Sequence, residues 1–129
     1  MSRPAMISIV DDDASIREAT KRLMLLLGYE SETFASAEEF LGSGRLGATA
    51  CVISDVQMPG MSGLEMQDRM IADGYRTPVI FVTAFPDDGI RAHALHAGAL
   101  GYLSKPLDEQ QLIGYLDEAL ERDRPGPAQ

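Results

Sequence analysis

Four groups of residues could do chemistry together if the fold brought them to one place: Asp11-Asp12-Asp13, Asp55, Thr83 and Lys105-Pro106. Each stands at the end of an apolar run. Carboxylates gathered within a few ångströms repel one another, so something positive must offset them. Oxygen donors without His or Cys favour a hard cation, and an open cluster that keeps water bound suits Mg²⁺. A nucleotide phosphate would be repelled there without the metal, and no Gly-rich cradle follows the first run. A carboxylate at a strand end, as Asp55 is expected to be, can attack phosphorus and form an acyl phosphate. The rest of phosphoryl transfer is positioning and charge neutralisation. The Lys105 ammonium can meet one phosphoryl oxygen and the Thr83 hydroxyl another. Asp11, Asp12 and Asp55 are the acidic set; Asp13 is expected instead to cap the helix that follows.

These residues lie far apart in the chain, so the elements between them must do the positioning. Strands are predicted at Met6–Val10, Glu30–Phe34, Cys51–Ser54, Val79–Thr83 and Gly101–Leu103. The first, third and fourth are nearly continuous in apolar residues, as strands covered on both faces are. The more polar second strand reads as an edge. Helices are predicted from Ala14 to Leu27, from Ser36, and over Gly63–Ala72, Asp88–Ala97 and Glu109–Arg122. The first shows an apolar stripe of Ile16, Ala19, Leu23, Leu26 and Leu27, the third offers Leu64, Met66, Met70 and Ile71, and the last offers Leu112, Leu116, Ala119 and Leu120. Ser36 and Glu39 have capping-box spacing. Alternating strands and helices imply parallel strands with right-handed crossovers: a doubly wound α/β sheet, with five strands in the flavodoxin-like order 2-1-3-4-5 and five helices. Ligands bind such sheets beyond the carboxyl ends of the strands, where all four groups fall.

The chain has 129 residues, enough for one domain, expected over 1–123 with 124–129 as a tail or the start of a linker. Its net charge of −9 argues against direct nucleic-acid binding. No apolar run reaches the ~18 residues of a membrane span, and no signal-peptide core precedes the first strand. The single cysteine, Cys51, fits a reducing compartment, and the cytoplasm is expected. Cys51 itself reads as a small buried hydrophobe. His93 and His96 lack a third ligand and read as solvated or interface residues. Met58 and Met61 are expected to be partly exposed beside Asp55.

Asp11-Asp12, Asp55 within DVQMPGMSG, Thr83-Ala84 and Lys105-Pro106 together resemble the receiver domain of two-component response regulators, over residues 6–122. Each piece alone is weak; their order and spacing make the joint signal specific. The resemblance implies that Asp55 accepts a phosphoryl group from a sensor histidine kinase. It implies Mg²⁺ ligation by Asp12, Asp55 and the Gln57 backbone carbonyl, with Asp11 acting through water. It also implies a switch in which Thr83 moves toward the phosphoryl group and Tyr102 turns inward, rearranging the surface of the fourth helix, fifth strand and fifth helix. Many receivers dimerise through that surface. Ser36-Ala-Glu-Glu-Phe-Leu41 and the MPGMSG loop resemble the subgroup with a LuxR-type helix-turn-helix output, which is not in this sequence. In this family the residues at positions 57 and 85 set phosphoryl lifetime; here a bulky Phe85 is expected to slow hydrolysis.

Two rivals from other classes are weaker. A haloacid-dehalogenase-type phosphatase also uses an aspartate and Mg²⁺, but wants a second aspartate where Gln57 stands. A flavodoxin-like electron carrier would need a Ser/Thr-rich loop where this chain has three aspartates. The expected protein is therefore a signalling domain rather than an enzyme, promoting its own phosphorylation and dephosphorylation.

Overall fold

Strand alternation explains why the central strands are apolar throughout. The computed structural model describes residues 6–123, so the expected tail at 124–129 lies outside the described residues. Five parallel strands, β1 (Met6–Val10), β2 (Glu30–Phe34), β3 (Cys51–Asp55), β4 (Val79–Thr83) and β5 (Gly101–Ser104), form one sheet in the order β2-β1-β3-β4-β5. Successive side chains point to opposite faces. Val10, Val52, Val79 and Phe81 belong to one core, with Phe40, Met66, Met70 and Ala94. Ile7, Ile9, Cys51, Ile53, Ile80 and Val82 belong to the other, with Met24, Leu112, Leu116 and Ala119. Helices α2 (Ala37–Leu41), α3 (Gly63–Ala72) and α4 (Asp88–His96) therefore cover one face, and α1 (Ala14–Leu26) and α5 (Glu109–Asp123) the other. A 3-10 turn at Leu46–Ala48, unforeseen in the sequence, leads into β3.

Helix faces differ from the expected stripes in three places. On α1, Leu26 is 78% exposed, while Thr20 and Met24 are buried. On α3, Ile71 points outward and Gln67 takes the buried place beside Met66 and Met70. Ala19 is also exposed. In each case the face that meets the sheet, rather than the most apolar run, decides which side chain is covered. The Ser36–Glu39 box forms only in part: Ser36 Oγ accepts the Glu39 amide, but Glu39 receives its return bond from Ala35. A complete box stands at α3, where Ser62 and Glu65 satisfy each other's amides.

Gly63 is the most closely packed glycine among the described residues. Its amide donates to Val56 O at 2.8 Å, closing the loop after β3. A Cβ there would collide with the Asp55 carbonyl and lie 2.9 Å from the Phe81 ring. Gly63→Ala should therefore lower unfolding free energy by about 1–3 kcal/mol, the usual cost of overpacking. Denaturant titration measures it, and a loss within error of zero would show the β3–α3 junction to be loose.

Candidate functional site

The carboxyl ends of β1, β3, β4 and β5 bring the predicted residues to one rim. Lys105 Nζ donates to Asp55 Oδ2 at 3.1 Å and to Asp11 Oδ2 at 3.3 Å, so one ammonium bridges two strands. Asp11, Asp12 and Asp55 each present an oxygen within 4.8 Å of the others. Asp11 and Asp55 are buried and Asp12 is exposed. The Lys105–Pro106 bond, whose isomer the sequence left open, is cis.

Backbone contacts fix these carboxylates. Asp55 is the last residue of β3, and its Oδ1 accepts the Gln57 amide at 3.2 Å. Asp11 Oδ1 accepts the Asp13 amide at 2.9 Å. Asp13 caps α1 as expected, accepting from Ser15 and Ile16. Arg17, which the sequence reading missed, donates to the Asp11 carbonyl at 2.6 Å and so anchors the acidic turn to α1. Its only sequence signal was a cation one turn into the helix after Asp11.

Thr83 joins this group through its backbone, while its hydroxyl bonds elsewhere. It sits opposite Ser104 in the β4–β5 register, and its carbonyl accepts the Lys105 amide at 2.8 Å. Its buried hydroxyl accepts the Phe85 amide at 3.1 Å. Tyr102 is half-buried, and its hydroxyl accepts the Asp87 amide at 3.3 Å. Thr83 and Tyr102 thus hold two points of the same β4–α4 loop. Phe85 itself is 71% exposed, so its ring does not shield Asp55 in this conformation. Met61 is partly exposed as expected, packed half-buried against the core, whereas Met58 is buried in it. His93 and His96 are exposed on the last turn of α4, and burial pushes the Cys51 thiol up to about 12, which keeps it protonated and inert.

The site carries more negative charge than Lys105 can balance. Burial raises the Asp11 carboxyl above its ordinary value; its bond to the Asp13 amide and the nearby Lys105 only partly oppose this, and Asp55 adds to it. Burial lowers Lys105, yet its bonds to Asp55 and Asp11 more than offset that, and the ammonium is held more firmly than usual. The two directions look contradictory for an ion pair. They agree once counted: one cation is claimed by two carboxylates, with a third nearby. A hard divalent cation fits this all-oxygen set. An open cavity of about 380 Å³ adjoins the group, lined by Asp11, Asp55 and Lys105 and by apolar Ile16, Leu23, Val82 and Leu107.

Residues 7–117 match the family model of the response regulator receiver domain. The chain belongs to that family. Among relatives of the receiver, nodulation protein W of Bradyrhizobium diazoefficiens is 37% identical over 123 residues, covering 95% of this chain and 54% of that protein. Response regulator protein TodT of Pseudomonas putida is 37% identical over 119 residues, covering 92% and 52%. This receiver sequence therefore spans about half the length of those relatives. The solved response regulator StyR superposes with a TM-score of 0.86 at 37% identity, covering 93% of this chain and 61% of that one. The N-terminal FixJ structure gives 0.82 at 25% identity, covering 93% and 96%. The five-strand order agrees with these receiver neighbours, and the family match gives the phosphatase alternative no support.

The surplus charge predicts a pH dependence. With its folded-state pKa raised, Asp11 opposes folding only when ionised: the penalty is absent below the ordinary value of 3.8 and grows as pH rises through the folded value. Asp11→Asn keeps an acceptor for the Asp13 amide but removes the charge. Without divalent cations it should be more stable than wild type at pH 7, by on the order of 1 kcal/mol, with the gain shrinking toward pH 4. Thermal melts across pH test this; a variant less stable at pH 7 would show that the Lys105 pairing dominates instead.

Proposed function

We propose that Asp55 accepts a phosphoryl group from the phosphohistidine of a sensor histidine kinase. The observation that carries this is the Lys105 ammonium shared by Asp55 and Asp11 within a three-carboxylate cluster. One Asp55 oxygen attacks phosphorus, a P–O bond forms, the P–N bond breaks, and its electron pair stays on the donor imidazole. Asp12, Asp55 and the Gln57 carbonyl would hold Mg²⁺ directly and Asp11 through water. When bound, Mg²⁺ supplies charge neutralisation for the phosphoryl group and the carboxylates. Lys105, already hydrogen-bonded to Asp55, offers its ammonium to a phosphoryl oxygen. Thr83 would turn its hydroxyl toward another phosphoryl oxygen and donate its proton there, a rotation that draws the oxygen away from the Phe85 amide whose bond it now accepts.

That exchange is the source of the switch. The acyl phosphate adds negative charge where the chain already has too much, and gives the Thr83 hydroxyl a stronger acceptor. Releasing Phe85 loosens the loop whose far end Tyr102 holds at Asp87, the N-cap of α4. The α4, β5 and α5 face would thereby signal to an output domain or form a homodimer. The receiver family supports action in the cytoplasm; among the described residues no helix is long and apolar enough to cross a membrane.

Incubating the protein with acetyl phosphate and Mg²⁺ should give a phosphoryl mass gain that Asp55→Asn abolishes. Lys105→Met should slow the gain by about 10-fold or more, as loss of one buried charge contact does. Mass gain persisting in Asp55→Asn would move the acceptor elsewhere.

A further inference from the structure

The two stretches that resemble the subgroup with LuxR-type output, Ser36–Leu41 and Met58–Gly63, touch each other. Glu38, in the first turn of α2, reaches across 23 positions, and its Oε2 accepts the Met61 amide at 3.1 Å. The same oxygen lies 2.5 Å from where a Cβ on Gly60 would stand, and Gly60 has φ +77°. A side chain at position 60 would thus be strained and would also push Glu38 away. Glu38 has no cationic partner among the described residues. Its carboxylate is used as an acceptor for a loop amide.

That loop carries the far half of the phosphorylation site. It leaves β3 at Asp55, presents Gln57, and re-enters the fold at Gly63, whose amide is tied to Val56. Between those anchored ends, Gln57 is tied to Asp55 and Met61 to Glu38. Met58 is buried and Met61 packs half-buried against the core, but Pro59 and Gly60 between them are exposed, and there the Glu38 bond is the polar tie.

We infer that Glu38 is a positioning residue: its bond to the Met61 amide holds the β3–α3 loop in the form that presents the Gln57 carbonyl to the cation. This rests on the proposed Mg²⁺ and phosphoryl chemistry at Asp55. Glu38 touches neither cation nor phosphoryl group, and acts through the loop alone. A charge-assisted bond to a backbone amide, in a site open to water, gives effects of a few-fold rather than of orders of magnitude.

The test compares wild type with Glu38→Ala, Glu38→Gln, Gly60→Ala and the Glu38→Ala/Gly60→Ala pair. In metal-free protein, Glu38→Ala should speed amide hydrogen exchange at Met61, read by NMR, while the melting temperature changes little. Calorimetric Mg²⁺ binding should weaken by about three- to ten-fold, and half-maximal phosphorylation by acetyl phosphate should need correspondingly more Mg²⁺ at an unchanged saturated rate. Glu38→Gln, which keeps an acceptor oxygen, should stay within about two-fold of wild type. Because Gly60→Ala already displaces Glu38, the double variant should match Gly60→Ala rather than add to it. Unchanged Met61 exchange, unchanged Mg²⁺ affinity in Glu38→Ala, or strict additivity in the pair would each overturn the inference. If wild type itself binds no Mg²⁺, the proposed function fails instead, and the Met61 exchange result still decides whether the tether exists.

Discussion

Two buried carboxylates share one ammonium with a third carboxylate close by, and that imbalance organises the rest of the molecule. Water would screen such a cluster cheaply at the surface, but Asp11 and Asp55 are buried. The fold therefore spends hydrogen bonds to hold the acids in place: the Asp13 and Gln57 amides, the Lys105 bridge, and the Arg17 anchor behind Asp11. Burying uncompensated charge costs stability unless a partner arrives. A site of this kind is poised to bind a cation and, with its help, a phosphoryl group.

The same constraint connects site to surface. Thr83 and Tyr102 end in hydroxyls that accept amides from one short loop, two residues apart at Phe85 and Asp87. That loop begins α4, which buries only Ala94 fully and is the most lightly held of the long helices. In the proposed switch, a phosphoryl acceptor at Asp55 draws the Thr83 hydroxyl round as a donor, and its oxygen then leaves the Phe85 amide close to this lightly held helix. The proposed coupling has a definite physical content: two arrangements of one hydroxyl, with a loop attached.

Most of this was legible in the sequence, for reasons that differ between elements. The central strands could be placed because apolar runs covered on both faces end abruptly at Asp11, at Asp55 and after Thr83, and five parallel strands with short crossovers leave few topologies. The site residues could be named because each stands at a strand end, where this architecture gathers ligands. What stayed hidden depended on side-chain direction. Leu26 and Ile71 looked like core, but the helix faces meeting the sheet buried Thr20, Met24 and Gln67 instead. Met58 looked open beside Asp55, yet it turns into the core. Ser36 and Glu39 had the right spacing for a capping box, while the completed box sits at Ser62 and Glu65. Arg17 and Glu38 act through single hydrogen bonds to backbone atoms, and no residue pattern announces such bonds before the chain is folded.

The central claim is that the acidic rim is short of positive charge until a divalent cation binds. Thermal unfolding of the wild-type protein as a function of Mg²⁺ concentration tests it most directly. A saturable rise in melting temperature with Mg²⁺, not reproduced by Na⁺ at matched ionic strength and much reduced in Asp12→Asn, is the predicted result. A melting temperature indifferent to Mg²⁺ across the millimolar range would mean that Lys105 alone satisfies the cluster, and the account built on its surplus charge would be wrong.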